Sequence, residues 1–187
     1  MVKRKTCVFI SGKGSNLNNL ILRSRDNSFP IIISLVISNN KEAGGLAFAK
    51  KYKIPYVVIE KNLKKQEDKI LFLLKKYKIS FICLAGFMRI ISNKIIQNFE
   101  KKIINIHPSL LPKFKGLDTF NRVLKNKEKK TGCTVHYVTN KLDAGKIIIK
   151  KNFYLNPDDN EQSLKKKTQR LEYKAFPEAI IRNFRNF

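Results

Sequence analysis

The 187 residues carry a formal net charge of +25, from 39 basic against 14 acidic side chains, and are 43% hydrophobic, enough for one well-buried core and short for two, so a single domain over 1–187 is expected. The apolar run Cys7–Ile10 is far too brief for a signal-peptide core or a membrane span and no later stretch qualifies; the three cysteines are odd in number, widely spaced and without a CxxC pair, so a cytoplasmic protein is expected, with buried thiols, no disulfide, no metal and no membrane partner. The charge invites a nucleic-acid reading, yet it is spread along the chain (Lys50-Lys51, Lys64-Lys65, Lys101-Lys102, Lys165 to Lys167) with no binding signature beside it; it is read as a solvated basic surface that attracts anionic substrates, with no specific nucleic acid expected.

Along the chain, a strand over Lys5–Ser11 runs into Ser11-Gly12-Lys13-Gly14-Ser15-Asn16 and a helix over Asn16–Arg23. That order points backbone N–H groups and a helix N-terminus at an anion, and the glycines permit close approach. The loop is too short for a Walker sequence and lacks the third glycine of a dinucleotide fingerprint, so a phosphate monoester fits better than a nucleotide cofactor. The bland alternative is a plain strand-to-helix turn capped by Ser15. Next come a strand over Ile31–Ile37, a helix over Ala43–Tyr52, a strand over Tyr56–Ile59 and a helix over Gln66–Tyr77, with Ile70, Leu71, Leu73 and Leu74 as its apolar stripe. A strand over Ser80–Leu84 and a helix over Asn93–Phe99 follow.

The strand over Ile103–Ile106 leads into Asn105-Ile106-His107-Pro108. Side chains two apart share a face, so Asn105 and His107 point together at a carboxyl end, where open parallel sheets place ligands. His136 lies within a strand over Thr134–Val138 and reads as structural, because its own segment offers no catalytic partner. Asp143 sits in the turn Asn140–Gly145; alone it reads as a turn former. A strand over Lys146–Phe153, a turn over Asn156–Asn160 and a helical tail from Glu161 complete the chain, with Asp159 and Gln162 spaced as a capping box and Pro177 expected to bend or divide the helix. The succession predicts an α/β protein: a mostly parallel twisted sheet of about seven strands flanked by helices on both faces.

Five blocks, taken in order and spacing, resemble the phosphoribosylglycinamide formyltransferase family: Ile10 to Leu17, Leu84-Ala85-Gly86-Phe87-Met88-Arg89-Ile90, Asn105-Ile106-His107-Pro108-Ser109-Leu110-Leu111-Pro112, Gly132 to His136, and Leu142-Asp143-Ala144-Gly145. The resemblance covers nearly the whole chain, from Val8 to about Ile180, and implies a Rossmann-like formyltransferase fold. It also implies transfer of a formyl group from 10-formyltetrahydrofolate to the amine of glycinamide ribonucleotide, in purine biosynthesis and without metal. Asn105, His107 and Asp143 then carry the chemistry: Asn105 and a His107 protonated beside Asp143 stabilise the tetrahedral oxyanion, and Asp143 assists proton transfer. Gly14, Ser15, Asn16, Gly86, Met88 and Glu172 bind the ribonucleotide, with Lys64 or Lys65 approaching its phosphate. Arg89, Ile90, Ile91, Val138, Leu142 and Asp143 bind the folate.

The chain departs from the pattern at Lys13, which adds charge to the loop, and at Phe120, where relatives commonly carry a histidine; it is also short at its C-terminus. Methionyl-tRNA formyltransferase shares the catalytic domain and suits the charge, but this sequence is expected to lack its additional RNA-contacting domain. Formyltetrahydrofolate hydrolase is a third relative, and its preceding regulatory domain is not expected here. A non-catalytic basic RNA-binding module explains the charge but leaves Asn105, His107 and Asp143 as coincidence. A monomer and a homodimer both remain open.

Overall fold

The structure, a computed structural model, describes residues 2–59 and 66–185. Its elements in chain order are β1 (Arg4–Ile10), α1 (Ser15–Ser24), β2 (Ile31–Ser38), α2 (Gly45–Lys51), β3 (Tyr56–Val58), α3 (Glu67–Lys76), β4 (Phe81–Leu84), α4 (Asn93–Asn98), β5 (Ile103–His107), α5 (Thr119–Lys125), β6 (Lys130–Tyr137), β7 (Ile147–Tyr154) and α6 (Glu161–Arg185). Five strands are parallel and two antiparallel, the mostly parallel seven-stranded α/β fold that the alternation of apolar runs and helical segments predicts. The chain clusters into two compact units, residues 1–105 and 106–187.

In the first unit the parallel order is β3-β2-β1-β4-β5. β1 is central, and Thr6 to Ile10 are wholly buried without alternation, as expected of a parallel strand covered on both faces. Val8 pairs with Val36 of β2 and with Cys83 of β4, while Asn105 of β5 pairs with Leu84. These registers bring the loops after β1, β2 and β4 to one end of the sheet. Cys7 and Cys83 are free and buried in this core, and burial pushes both thiols up.

In the second unit β6 and β7 form an antiparallel pair against which α6 packs. β6 starts at Lys130, four residues before the predicted edge. Gly132 continues the ladder rather than breaking it, since a Cβ there would lie 1.9 Å from the Lys151 carbonyl oxygen. Leu164, Thr168, Ala175, Phe176, Ala179 and Ile180 form the buried stripe of α6. Pro177 does not divide the helix, because buried residues on both sides of it hold the segment against the sheet. Burial, with Glu172 nearby, lifts the free Cys133 thiol to about 12.

The cap of α6 also differs from the predicted one. Asn160 and Ser163 form the reciprocal pair: Ser163 N–H donates to Asn160 Oδ1 and Asn160 N–H to Ser163 Oγ, each at 3.0 Å. Asp159 instead receives the Asn156 N–H, the Ser163 hydroxyl and Lys167 Nζ. Burial raises its carboxyl, but these donors outweigh it and bring the value down to about 2. Its folded value lies below its unfolded one, so the stabilisation is complete above the ordinary carboxylate range and is lost as pH falls through about 2. Asp159→Asn is therefore expected to cost about 1 kcal/mol near neutral pH, and urea titrations should show the deficit shrinking as pH drops below about 4.

Candidate active site

In the first unit, β1 ends in a loop whose Gly14 has φ 74 and precedes α1 without any side-chain cap, so Ser15 is the first helical residue and not a capping group. A Cβ on Gly14 would lie 2.2 Å from Gly45 Cα, and Gly45 N–H donates to the Gly12 carbonyl at 3.0 Å. The loop is thus packed backbone to backbone against the start of α2. The first turn of α1 carries no acidic residue, leaving the positive end of its dipole available to an anion.

Ser11 ties this loop to its neighbours. Its hydroxyl donates to Asn39 Oδ1 at 2.5 Å and accepts the Met88 N–H at 2.7 Å, and Asn40 Nδ2 donates to the Ser11 carbonyl at 3.3 Å. Ser11 thus ties the start of the glycine loop to Met88 and to the turn after β2. Asn39 and Asn40 have no part in the sequence reading, although an Asn-Asn pair directly after a buried strand was a visible turn signal. Gly86 has φ 72 and open space beside it. Arg89 is exposed and Ile90 is 74% exposed, whereas Ile91 is 3% exposed and packs in the core, so its backbone alone can meet a ligand. The expected phosphate contact by Lys64 or Lys65 lies outside the described residues.

β5 carries Asn105 and His107 on one face, and His107 is only 6% exposed. In the second unit the chain then turns through Ser109–Gly116, held by Thr134 of β6, whose hydroxyl donates to the Ser109 carbonyl at 2.7 Å and accepts the Leu111 N–H at 3.1 Å. Ser109 Oγ in turn donates to the Lys113 carbonyl. This bracing delivers two backbone groups to the site. The Phe114 carbonyl lies 2.8 Å from His107 Nε2, and Gly116 N–H donates to Asp143 Oδ2 at 2.9 Å.

Asp143 is 9% exposed and has a left-handed backbone with φ 46. Oδ2 lies 3.3 Å from His107 Nδ1, and Oδ1 lies 3.5 Å from Nε2 of His136, which is itself 2% exposed. The structure thus joins His107 to Asp143, as the resemblance implies, and adds His136. Burial raises the Asp143 carboxyl, but His136, the Gly116 N–H and His107 more than offset that and lower it overall. His107 differs from expectation. Asp143 and the Phe114 carbonyl favour its protonation, yet burial dominates, with His136 and Arg122 adding to it, and its value falls below the ordinary one.

Val138 is half-buried, Leu142 is exposed, and Glu172 is half-buried on α6. Phe120 is half-buried on α5. Among the described residues, no group of three or more His, Cys, Asp or Glu is arranged to hold a metal ion, and no helix is long and apolar enough to cross a membrane.

In the second unit a buried acid meets two imidazoles, and in the first a glycine loop opens a helix; each is equipment that group-transfer enzymes use. A family model described as formyl transferase matches residues 4–180. A phosphoribosylglycinamide formyltransferase of Haemophilus influenzae is 37% identical over 181 residues, covering 95% of this chain and 85% of that protein. A solved structure of phosphoribosylglycinamide formyltransferase from Brucella melitensis superposes with a TM-score of 0.91 at 38% identity, covering 98% of this chain and 96% of that one. The trifunctional purine biosynthetic protein adenosine-3 of Homo sapiens is 39% identical over 182 residues, but the chain spans only 18% of its length. The chain belongs to the phosphoribosylglycinamide formyltransferase family.

Proposed function

We propose that this chain transfers the formyl group of 10-formyltetrahydrofolate to the amine of glycinamide ribonucleotide, acting as one formyltransferase domain in the cytoplasm. The buried His107–Asp143 pair, with Asn105 two residues before His107, carries the reading. The neutral amine attacks the formyl carbon, and the carbonyl electron pair moves onto oxygen. Asn105 and the His107 Nε2–H, which otherwise meets the Phe114 carbonyl, donate to that oxyanion. Collapse breaks the bond from the formyl carbon to the folate nitrogen, which leaves with a proton. The proton lost by the amine passes through Asp143 and water; the lowered carboxyl of Asp143 keeps it ionised and ready to accept.

Gly14, Ser15 and Asn16 take the ribonucleotide phosphate at the α1 N-terminus, with Gly86 and Met88 beside them and Glu172 taking the sugar or amide portion. Arg89, Ile90, the Ile91 backbone, Val138 and Leu142 take the folate; the exposure of Ile90 and Leu142 suits that role. No metal is needed, because these donors stabilise the charge that develops.

Loss of 10-formyltetrahydrofolate is to be followed with three acceptors: glycinamide ribonucleotide, initiator methionyl-tRNA, and water alone. Transfer to the ribonucleotide alone is expected. Preference for the tRNA would overturn the assignment, and folded protein inactive on every acceptor would refute a transferase altogether.

A further inference from the structure

His136 is not part of the chemistry just described, yet it reaches the same carboxylate. Its Nδ1 lies 2.9 Å from the Tyr137 carbonyl oxygen, and its Nε2 lies 3.5 Å from Asp143 Oδ1. His107 has the same arrangement in mirror order, with Nε2 at 2.8 Å from the Phe114 carbonyl and Nδ1 at 3.3 Å from Asp143 Oδ2. Carbonyl oxygens only accept, so His107 Nε2 and His136 Nδ1 must each carry hydrogen. The other nitrogen of each ring then faces one oxygen of a single carboxylate. Two neutral rings would set two bare lone pairs against that anion. One further proton relieves only one of these two contacts, while two would leave net positive charge in a buried cluster. The rings therefore compete for one carboxylate.

The surroundings fix the rest of the balance. Gly116 N–H holds Oδ2 from the loop, leaving Oδ1 to β6. Arg122 of α5 and His136 itself disfavour the proton on His107, while Asp143 and the Phe114 carbonyl favour it. His136 is almost wholly buried on β6, where the register shifts between Val135 and His136, so the site of the ring coincides with an irregularity in the ladder.

We propose that His136 is a positioning residue of the transfer reaction: by holding Asp143 Oδ1 it aims Oδ2 at His107 Nδ1, so that both rings are coupled through one carboxylate. This rests on the formyl-transfer reading for its kinetic consequence but not for its geometry, and two measurements separate the two.

The first needs no substrate. The chain has two histidines, so ¹⁵N-histidine labelling yields two ring spectra, and His136→Gln assigns them. A glutamine amide reaches about where Nε2 stood, donating to Oδ1 without competing for the proton. The His107 titration is expected to move to higher pH in His136→Gln by a clearly resolved step, because a competing ring has been removed while Asp143 stays in place. An unmoved His107 titration in folded His136→Gln overturns the coupling of the two rings through Asp143.

The second is kinetic. His136→Leu removes the hold on Oδ1 and is expected to lower kcat about 100-fold with KM for both substrates nearly unchanged, the scale of a catalytic group displaced by about 1 Å. His136→Gln should recover most of that loss. Wild-type kcat in His136→Leu, or equal losses in the two variants at equal thermal stability, refutes positioning. A resolved His107 shift in His136→Gln, together with wild-type protein that transfers no formyl group, indicts the functional reading and leaves the shared carboxylate standing.

Discussion

Asp143→Asn is expected to lower kcat by about 10³-fold while changing KM for the ribonucleotide by no more than about threefold, within the range for loss of a positioned acid or base. The substitution is nearly isosteric, and the hydrogen bonds dictate how the amide would sit. Gly116 N–H donates to Oδ2, so the asparagine oxygen takes that place facing His107 Nδ1, while its NH₂ turns to His136 Nε2. Geometry is kept and charge is lost. Without the carboxylate nothing carries the proton away from the attacking amine. His107, already pushed down by burial, also loses one of the two influences that favour its charged form as the oxyanion develops. Steady-state kinetics with both substrates, alongside a thermal melt to show intact folding, decide the matter. Wild-type turnover in the folded variant would remove Asp143 from the mechanism.

The same burial has a signature in stability. A His107 value held below its ordinary one means that the unfolded chain takes up this proton before the native one does. The contribution is present above the unfolded value, near ~6.5, and is lost as pH falls through the lower folded value.

How much of this was legible beforehand depended on whether the deciding interaction was local. β1, β2, β4 and β5 announce themselves as short apolar runs between turn signals, and their edges fall within one or two residues of the predicted ones. Asn105 and His107 were legible for the same reason, because strand periodicity puts them on one face whatever surrounds them. α5 was missed: it has seven residues, buries only Thr119 and Val123, and starts after an Asp118 with φ 56 that makes no cap, so neither a start signal nor an apolar stripe marks it. The capping box slid by one residue because Asp159 and Asn160 are both good caps, and the choice between them was made by Lys167, two turns into α6. His136 looked isolated because its partner is Asp143, seven residues on and beyond a turn. Asp143 also has a positive φ that an aspartate only occasionally adopts, which periodicity cannot foresee.

Gly14→Ala is expected to damage the phosphate loop more than any change to the polar residues around it. Alanine at φ 74 costs about 1–2 kcal/mol from backbone strain alone. The added methyl would also lie 2.2 Å from Gly45 Cα, closer than nonbonded carbons approach, and the obstacle is backbone rather than a flexible side chain. Relief requires the loop to move away from α2, breaking the Gly45 N–H to Gly12 carbonyl bond and tilting the start of α1. Overpacking of this kind typically adds about 1–3 kcal/mol, so a total of roughly 2–5 kcal/mol is expected, a large part of the stability of a typical domain. The functional consequence is selective. The loop serves the phosphate, so in variant protein that remains folded, KM for the ribonucleotide should rise at least about tenfold, while KM for the folate, whose proposed contacts lie elsewhere, should stay within about twofold. Denaturant titration measures the first effect and two-substrate kinetics the second. A variant that loses stability yet keeps its ribonucleotide KM would show that Gly14 is a packing glycine, and the phosphate would then have to be sought away from the α1 N-terminus.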